Sequence, residues 1–450
     1  MKSIKSDLVI VGSGVAGLYC ALNIPKDKKV LIITKSEKEE CDSYLAQGGI
    51  CMLKDDSDYD SYFKDTMAAG HFENNRKSVE IMIKSSQEVI KDLISYGVAF
   101  ERDSDGKLKF TREGAHSSPR ILFHQDITGE EITSKLLAAV QASPNIRIEE
   151  NVCMIDIIED ENQCKGIVAV CPMESNLAES AISYTKEGRA LVLLEAANTV
   201  WACGGIGGLF QHSTNYPQLT GDALAIALKH KIPLQNPDYI QIHPTTLFSK
   251  KKGRAFLISE SVRGEGGILL DKNFNRFTDE LQPRDVVTKA IYKQMEKDSS
   301  DHVWLSMERI PVEEIKNHFS HIYEHCLQEG FDCTKEAIPV VPAQHYFMGG
   351  VKVDEWSRTS LKCLYAAGET SCNGVHGKNR LASNSLLESL VFAKRAAKKI
   401  SLDSSALTNE NNIKIALDSY FDTEKVFEGY KSSVLKEIDR VRKIHEQHIA

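Results

Sequence analysis

The sequence lacks most of the features that mark a specialised class of protein. Among its 450 residues no apolar run is long enough to span a membrane, and the amino terminus carries no recognisable secretory leader. No long basic block stands out, and the formal net charge of -8 argues against a nucleic-acid-binding surface. These absences lead us to expect a cytoplasmic globular protein that acts on neither membranes nor nucleic acids.

The cysteines also lack any recognisable pairing. The chain has 11 of them, and no two form a C-x-x-C pair, which argues against zinc and iron–sulfur sites. We therefore expect no metal site. In a chain of this length without a secretory leader, the simplest interpretation is that the cysteines are free thiols in a reducing cytosol.

What is present begins with an apolar strand that runs into a glycine-rich turn. Asp7 to Val11 is a β-branched apolar run, typical of a buried parallel strand. The residues that follow read G-x-G-x-x-G and precede a helical pattern; they are Gly12, Ser13, Gly14, Val15, Ala16 and Gly17. Strand, turn and helix in this order indicate a dinucleotide site, with the pyrophosphate at the start of the helix. The alternative is an ordinary βα turn.

The end of the second predicted strand departs from the usual dinucleotide pattern. Residues 29–33 form this strand, and Thr34 and Lys35 follow it where an acid for the ribose is usual. A lysine here either favours a phosphate, as in NADP, or only flanks a cofactor that is held differently. The next loop has small residues and paired glycines, which let a flat ring approach the backbone; it comprises Asp42, Ser43, Tyr44, Leu45, Ala46, Gln47, Gly48 and Gly49. Its alternative is a simple surface loop.

The rest of the chain is interpreted from its hydrophobic periodicity, and the overall pattern predicts an α/β fold. Residues 59–98 predict helices, residues 147–200 predict a β-meander, and residues 241–245 predict a polar turn. Residues 364–367 predict a strand that ends at Gly368 and Glu369, and residues 383–385 are predicted to open a helix that begins at Leu386. The segment after Ile400 reads as helical and is too short for a domain with its own core.

Cationic and hydroxyl side chains recur in the second half of the chain, in segments that contain Gly or Pro. They are His243, Ser259, Arg263, Arg284, His345 and Arg380. Such positions lie at the edges of elements, where active sites are usually built, and arginine binds carboxylates in a bidentate manner. We expect these residues to form one site for a substrate with two carboxylates. Residues 111–116 carry several more ionisable groups, and they form either part of a site or a solvated turn.

Eight short motifs together resemble one known family. They are GSGVAG, YLAQGGI, ACGG, QIHPTT, SESVRGEGG, PRDVV, HYFMGGV and NRLASNSLLES. In this order, over roughly residues 5–400, they resemble the succinate dehydrogenase and fumarate reductase flavoprotein superfamily. The segment TREGAHSSPRILFHQDITG is similar to the corresponding segment of the aspartate-oxidase branch of that superfamily.

The resemblance implies a fold and a division into domains. The expected fold is a Rossmann-like FAD-binding domain with an inserted α+β capping domain and a short C-terminal helical segment. The FAD-binding domain would be discontinuous, with residues 1–237 and 347–400, and the capping domain would comprise residues 238–346. Residues 401–450 would form the C-terminal segment, which is much shorter than in longer members of the superfamily.

The resemblance also assigns the FAD contacts. They fall on Ser13 to Ala16, Lys35, Asp42 to Gly49, Val152, Asp222, Glu369, Ser385 and Leu386. Aspartate oxidases resemble this chain in lacking the acid after the second strand, which accounts for Lys35. In respiratory succinate dehydrogenases a histidine tethers FAD at the position of Asp42, so noncovalent FAD is implied here.

The same resemblance gives roles to the cationic residues. Substrate contacts fall on His243, Ser259, His345 and Arg380, and Arg263 remains a substrate-binding candidate from its place in the cationic cluster. Proton transfer falls on Arg284, and the acid that orients the substrate's ammonium falls on Glu113. Ser259 stands where the family usually has Thr, and it keeps the hydroxyl.

The implied activity is oxidation of L-aspartate to iminoaspartate, the first step of de novo NAD biosynthesis. Electrons would pass to O₂, which gives hydrogen peroxide, or to fumarate, which gives succinate, and the product would go to quinolinate synthase. One rival is a soluble fumarate reductase or a respiratory flavoprotein subunit, which predicts no acid at position 113. The other is a non-catalytic flavin-binding protein, which predicts loss of the histidine and arginine set.

Overall fold

Strands and helices alternate through the first part of the chain, as the sequence predicts. The structure is a computed structural model that describes residues 3–251, 253–403 and 417–449. The strands are β1 (Ile4–Val11), β2 (Val30–Ile33), β3 (Ile50–Cys51), β4 (Ile121–Leu122), β5 (Ile146–Glu149), β6 (Cys153–Asp160), β7 (Gln163–Cys171), β8 (Ser183–Tyr184), β9 (Ala190–Trp201), β10 (Leu234–Gln235), β11 (Ile240–Leu247), β12 (Ile268–Leu270), β13 (Val303–Ser306), β14 (Ile338–Phe347), β15 (Gly350–Lys352), β16 (Leu364–Ala366) and β17 (Ser371–Cys372). The helices are α1 (Val15–Leu22), α2 (Tyr59–Ala69), α3 (Arg76–Ser95), α4 (Thr128–Gln141), α5 (Asp222–Lys229), α6 (Glu260–Gly264), α7 (Arg284–Asp298), α8 (Val312–His318), α9 (Ser320–Gln328), α10 (Asn384–Leu402) and α11 (Thr423–Ile449).

The main sheet is centred on β1 and β9. Its strand order is β5-β2-β1-β9-β7-β6, and β16 and β8 also pair with β9. Strands β5, β2, β1, β9 and β16 run parallel to their neighbours in this set. Side chains of β1 alternate between two cores, so Leu8 and Ile10 pack with α1 and α10 while Val9 packs on the opposite face with α5. Both faces of the sheet are therefore covered, and the predicted α/β class is confirmed.

The predicted meander over residues 147–200 is only partly correct. Strands β6, β7 and β9 form antiparallel pairs, as a meander requires. The first strand, β5, lies instead at the opposite edge of the sheet, where it pairs in parallel with β2. Its short apolar run suits either arrangement, and only the contact with β2 decides between them.

A second, smaller sheet has the order β11-β14-β13-β12 and is antiparallel throughout. Helices α7 to α9 contribute to its separate core, in which Ile291, Phe319 and Ile322 are buried. The predicted polar turn at residues 241–245 is wrong, because these residues lie within β11. The pairing of β11 with β14 is irregular between His243 and Thr246, around Pro244, which has no backbone N–H to donate.

The segment around residues 364–402 leads from the main sheet, through a short strand of a separate three-stranded sheet, into α10. β16 ends in a short 3-10 turn, Gly368–Thr370, and β17 follows it. Helix α10 begins at Asn384, two residues before the predicted start. Ser383 precedes it in a left-handed conformation, with φ of 59°, and its side chain makes no hydrogen bond to the start of the helix. Its hydroxyl is used elsewhere, on Glu113.

The C-terminal segment is helical where the structure describes it, as predicted. In α11, Tyr430 and Val434 are buried in the core that contains α5. The part of the predicted helical segment between residues 404 and 416 lies outside the described residues. Across the described ranges no helix has both the length and the apolar composition that a membrane span requires.

Candidate active site

A long cavity runs from the carboxyl ends of the parallel strands to the second sheet. The loops after β1, β2, β9 and β16 line one end, and residues of β11, β14 and α7 line the other. The carboxyl edge of a parallel sheet is where ligands usually bind in such folds. One cavity therefore brings together segments that are hundreds of residues apart in the chain.

Most of the residues predicted to hold a cofactor line this cavity. Those that do are Gly12, Ser13, Gly14, Ala16, Lys35, Asp42, Ser43, Leu45, Ala46, Gln47, Gly48, Gly49, Val152, Asp222, Glu369, Ser385 and Leu386. Val15, Gly17 and Tyr44 do not line it. Sequence reasoning missed Thr214, Asn215 and Gln218, which come from an irregular loop with no motif to mark it.

Close contacts between backbone atoms explain why this turn contains glycines. Gly12 has φ of +117°, and a Cβ atom there would lie 2.0 Å from the carbonyl oxygen of Ala202. A Cβ on Gly17 would lie 2.1 Å from the carbonyl oxygen of Gly12. These two glycines let the ends of β1 and β9 and the first turn of α1 come together. Gly14 gives the start of α1 no side-chain cap, and the N–H of Val15 donates to Ser43 Oγ at 3.2 Å. A helix N-terminus that faces a cavity in this way favours an anion.

Buried acceptors without a partner lie beside this turn. Within the described residues, Asp42 Oδ2 and Gln47 Oε1 are buried side-chain atoms that accept no hydrogen bond. Burial, and the carboxylate of Asp42 after it, raise the pKa of Glu369. Hydroxyl and N–H groups of a ligand would satisfy these acceptors, and FAD carries both. The residues present therefore fit FAD, and Asp42 cannot form the histidine-type covalent tether.

Lys35 is already neutralised by an acid on the opposite wall of the cavity. Its Nζ lies 2.8 Å from Asp222 Oδ2, 3.0 Å from the carbonyl oxygen of Gln218 and 3.1 Å from Thr220 Oγ1. A lysine that serves a 2′-phosphate would keep its charge for the ligand. The pairing with Asp222 therefore favours the alternative in which Lys35 flanks a cofactor other than NADP.

At the other end of the cavity two arginines share one amide oxygen. Arg284 Nη1 donates to Gln241 Oε1 at 2.8 Å, and Arg380 Nε donates to the same oxygen at 3.2 Å. Arg380 also donates to Ser385 Oγ at 2.7 Å, and its guanidinium stacks on the ring of Tyr346 at 4.4 Å. Gln241 and Tyr346 are further residues that sequence reasoning missed. They hold two cations side by side, which suits a substrate with two carboxylates.

Two imidazoles complete this wall. The rings of His243 and His345 lie 5.1 Å apart, centroid to centroid. His243 Nδ1 lies 3.0 Å from the carbonyl oxygen of Thr245, and His345 Nδ1 lies 2.8 Å from Thr214 Oγ1. Burial, and then Arg284, lower the pKa of both rings well below the usual value, so both are neutral. His243 Nε2 is buried and has no partner among the described residues, which leaves it available to a ligand.

Glu113 lies inside the cavity and is only 3% exposed, so the solvated-turn interpretation of its loop is wrong. Ser261 Oγ donates to Glu113 Oε1 at 2.8 Å, and Ser383 Oγ donates to Oε2 at 2.5 Å. Burial, followed by the charge of Glu260, raises the pKa of the Glu113 carboxyl. A Cβ on Gly48 would lie 2.7 Å from Glu113 Oε1, so that glycine leaves room for the carboxylate.

Glu260 is a second buried acid of the site, which sequence reasoning did not single out. It accepts a hydrogen bond from Arg284 Nε at 2.5 Å, and Arg263 Nη2 lies 3.5 Å away. Burial alone favours the neutral acid, but Arg284 and Arg263 outweigh it and lower the pKa of Glu260. The sequence feature that could have identified Glu260 is its position between Ser259 and Arg263 on one helical turn.

The predicted substrate residues divide into two groups. His243, Ser259, Arg284, His345 and Arg380 line the cavity together with Glu113. Arg263 does not line it; its Nη1 donates to the carbonyl oxygen of Glu280 at 2.6 Å, behind Glu260. The structure therefore separates Arg263 from the ligand-facing set.

Three comparisons relate this arrangement to known proteins. A model of the FAD binding domain family matches residues 7–386. The L-aspartate oxidase of Clostridium perfringens is 47% identical over 418 residues, which cover 92% of this chain and 91% of that protein. The L-aspartate oxidase of Neisseria meningitidis is 38% identical, with 88% of this chain and 77% of that protein covered.

A solved structure shares the fold of this chain. The FrdA chain of E. coli quinol fumarate reductase superposes with a TM-score of 0.82 at 28% identity, covering 97% of this chain and 74% of that one. It shares the fold, whereas the L-aspartate oxidases share far more of the sequence. From the match to the FAD binding domain and the identity to these oxidases over most of both lengths, we conclude that this chain belongs to the L-aspartate oxidase family of FAD-binding flavoproteins.

Proposed function

We propose that this protein oxidises L-aspartate to iminoaspartate with noncovalently bound FAD. The observation that carries the proposal is Glu113, a buried carboxylate that faces a cluster of cations inside one cavity. A site for succinate or fumarate needs only the cations, because neither ligand has an amine. A carboxylate beside them is useful only when the substrate also carries an ammonium group.

In this proposal the two carboxylates of the substrate bind to the cationic wall. Arg380 donates to one carboxylate while Tyr346 and Gln241 keep its guanidinium in place. His243 Nε2 and the hydroxyl of Ser259 serve as further polar contacts. Glu113 accepts a hydrogen bond from the ammonium group and so orients the substrate carbon that loses the hydride. The same carboxylate would accept the proton that the nitrogen must lose as the imine forms. When bound, FAD supplies the acceptor for that hydride.

Arg284 is proposed to hold the transferable proton of the site. Its Nε donates to Glu260, and the guanidinium group stays protonated in nearly all protein environments. An N–H of Arg284 is therefore suited to protonate fumarate when the enzyme runs with that acceptor, and Glu260 lies in position to exchange protons with it. Arg263, on the far side of Glu260, would stabilise the charge of that acid.

We also propose that residues 238–346 act as a capping domain over an FAD-binding domain made of residues 1–237 and 347–400. The support is that the second sheet, the N-cap of α6 and the start of α7 contribute His243, Ser259, Arg284 and His345 to one end of the cavity. A cap of this kind excludes water from the reacting atoms.

The wider role follows from the same activity. O₂ and fumarate are the proposed electron acceptors, which would give hydrogen peroxide and succinate respectively. Iminoaspartate would pass to quinolinate synthase in de novo NAD biosynthesis, and the protein would act in the cytoplasm. A soluble fumarate reductase is the second candidate, supported by the resemblance to the FrdA chain.

Anaerobic mixing separates the two candidates. Purified protein is mixed with L-aspartate or with succinate while the flavin absorbance is followed. Fast bleaching by L-aspartate and slow or absent bleaching by succinate is the expected result. Bleaching by succinate alone would contradict the proposal, and flavin that stays on the polypeptide after acid precipitation would contradict noncovalent binding.

A further inference from the structure

Glu113 receives hydrogen bonds from two serines that come from different parts of the fold. Ser261 lies in α6, 148 residues away from Glu113, and Ser383 lies just before α10, 270 residues away. Each hydroxyl reaches a different carboxylate oxygen, and all three side chains are buried. A carboxylate held at both oxygens has a defined orientation in the cavity.

We propose that Ser261 is a positioning residue for substrate specificity, which keeps Glu113 ionised and directed at the ammonium group of an amino dicarboxylate. The proposal rests on the proposed function, since it concerns the same site. It adds a residue that does not line the cavity and so has no contact with the substrate.

The direction of each hydroxyl hydrogen follows from its other contacts. Ser259 Oγ donates to Ser261 Oγ at 3.2 Å, so the hydrogen of Ser261 is free to point at Glu113. The backbone N–H of Gly49 donates to Ser383 Oγ at 3.2 Å, which has the same consequence for that hydroxyl. Both serines therefore act as donors to Glu113, and two donors favour the ionised form of a carboxyl.

Without these two donors, the surroundings of Glu113 would favour the neutral form of its carboxyl group. Burial and the neighbouring charge of Glu260 favour the neutral acid. Arg284 opposes them, and Arg263 and the thiol of Cys51 also lie close enough to interact with Glu113. A neutral Glu113 would present no charge to an ammonium group, so loss of one donor should weaken aspartate binding where the acid becomes protonated.

The test is Ser261→Ala, compared with Ser261→Thr, which keeps the hydroxyl. We expect kcat/KM for L-aspartate in Ser261→Ala to fall about tenfold at the acidic end of the pH range, because a hydrogen bond to a charged group is lost. The loss should shrink as the pH rises and Glu113 ionises without help. Fumarate reduction should lose less at every pH, and Ser261→Thr should restore most of the activity.

A matched control removes a similar hydroxyl outside the cavity. Ser61 Oγ donates to the carboxylate of Asp58 at 2.8 Å, the same length as the Ser261 contact, and neither residue lines the cavity. Ser61→Ala should leave the pH profile for aspartate unchanged. A pH-dependent loss in both variants would overturn the proposal, since it would be a general consequence of deleting a serine hydroxyl that donates to a carboxylate.

Infrared titration gives a readout that does not depend on turnover. The carbonyl band of protonated Glu113 is identified by its disappearance in Glu113→Gln, and we expect it to persist to higher pH in Ser261→Ala than in the parent. An unchanged titration of this band would overturn the proposal. If the parent does not reduce its flavin with L-aspartate, the proposed function fails separately, and the infrared comparison still decides the role of Ser261.

Discussion

The two ends of the cavity are built from different chemical groups. Beside the main sheet four glycines, Gly12, Gly14, Gly48 and Gly49, line the cavity together with polar side chains such as Lys35 and Asp42. Beside the second sheet the walls are buried charged side chains, which hold one another through short contacts such as that of Arg284 with Glu260. We expect the cofactor end to tolerate substitutions that change a charge but not substitutions that add side-chain atoms. We expect the substrate end to tolerate added atoms better than the loss of a charge.

Two of the buried glutamates, Glu369 and Glu260, differ in the direction of their pKa shifts. At the cofactor end, burial and Asp42 raise the pKa of Glu369, and they outweigh the opposing effects of the Phe347 N–H and Arg380. At the substrate end, two arginines overcome burial and lower the pKa of Glu260. The surroundings of an acid, and not its depth alone, therefore decide its charge.

The largest effect is expected from adding a methyl group at the backbone end. Gly12→Ala should destabilise the protein by about 3 kcal/mol or more and abolish FAD retention, because the new Cβ meets the carbonyl of Ala202 and the backbone is in a left-handed conformation. Thermal unfolding and the flavin content after purification measure both effects.

Gly97→Ala is the control for backbone strain alone. Gly97 also has a positive φ, of +93°, but a Cβ there would meet no atom within 4 Å. Gly97→Ala should lower the free energy of unfolding by roughly 1 kcal/mol and leave the flavin bound. Equal losses in the two variants would mean that strain, and not close packing, explains the glycine at position 12.

The next largest effect is expected from removing a charge at the substrate end. Arg380→Met should lower kcat/KM for both L-aspartate and fumarate by on the order of a thousandfold, since both substrates lose charged hydrogen bonds to a carboxylate. Steady-state kinetics in both directions provide the measurement, and the flavin content should stay normal. Arg395→Met is matched to it, because Arg395 also stacks on an aromatic ring, that of Trp356 at 4.1 Å, but lies outside the cavity lining. Similar losses of kcat/KM in both variants would contradict the role of Arg380 as a substrate contact.

A smaller and selective effect is expected from Glu113→Gln, which keeps the shape and removes the charge. Oxidation of L-aspartate should fall roughly tenfold to a hundredfold, because the ammonium loses its charged partner. Fumarate reduction with a chemical reductant should be largely spared, and comparing the two rates measures the selectivity. Equal loss of both activities would make Glu113 a structural residue of the cavity wall.

The smallest effect is expected from Glu369→Gln. It is measured in the FAD-free protein as the change of the unfolding midpoint temperature with pH. The pKa of Glu369 is raised from an ordinary value of 4.5, so its contribution to stability is complete below that pH and is lost as the pH rises through the folded-state pKa. The parent should therefore lose stability with rising pH more steeply than the variant, whose amide does not titrate. Parallel curves would show that Glu369 is not the group responsible.

Much of the cofactor end could be predicted because its signals are local. A glycine-rich turn between an apolar strand and a helix follows from backbone sterics within a few residues, and the predicted residues from Gly12 to Ala16 line the cavity with one exception, Val15. The start of α10 was predicted within two residues, although the side chain of Ser383 does not cap the helix. The prediction of a polar turn at residues 241–245 was wrong, because a strand with an irregularity at Pro244 has the local composition of a turn.

By itself the sequence determined the α/β class, the dinucleotide-type turn and a set of cations suited to two carboxylates, since each depends on residue type and short-range spacing. The tertiary structure alone decided that Gln241 joins Arg284 to Arg380, that Glu260 lies against two arginines, and that β5 pairs with β2. It also brought Ser261 and Ser383 to the two oxygens of Glu113. These contacts join residues that are far apart in the chain, and their energies depend on burial and distance, which only the folded arrangement of the sheets sets.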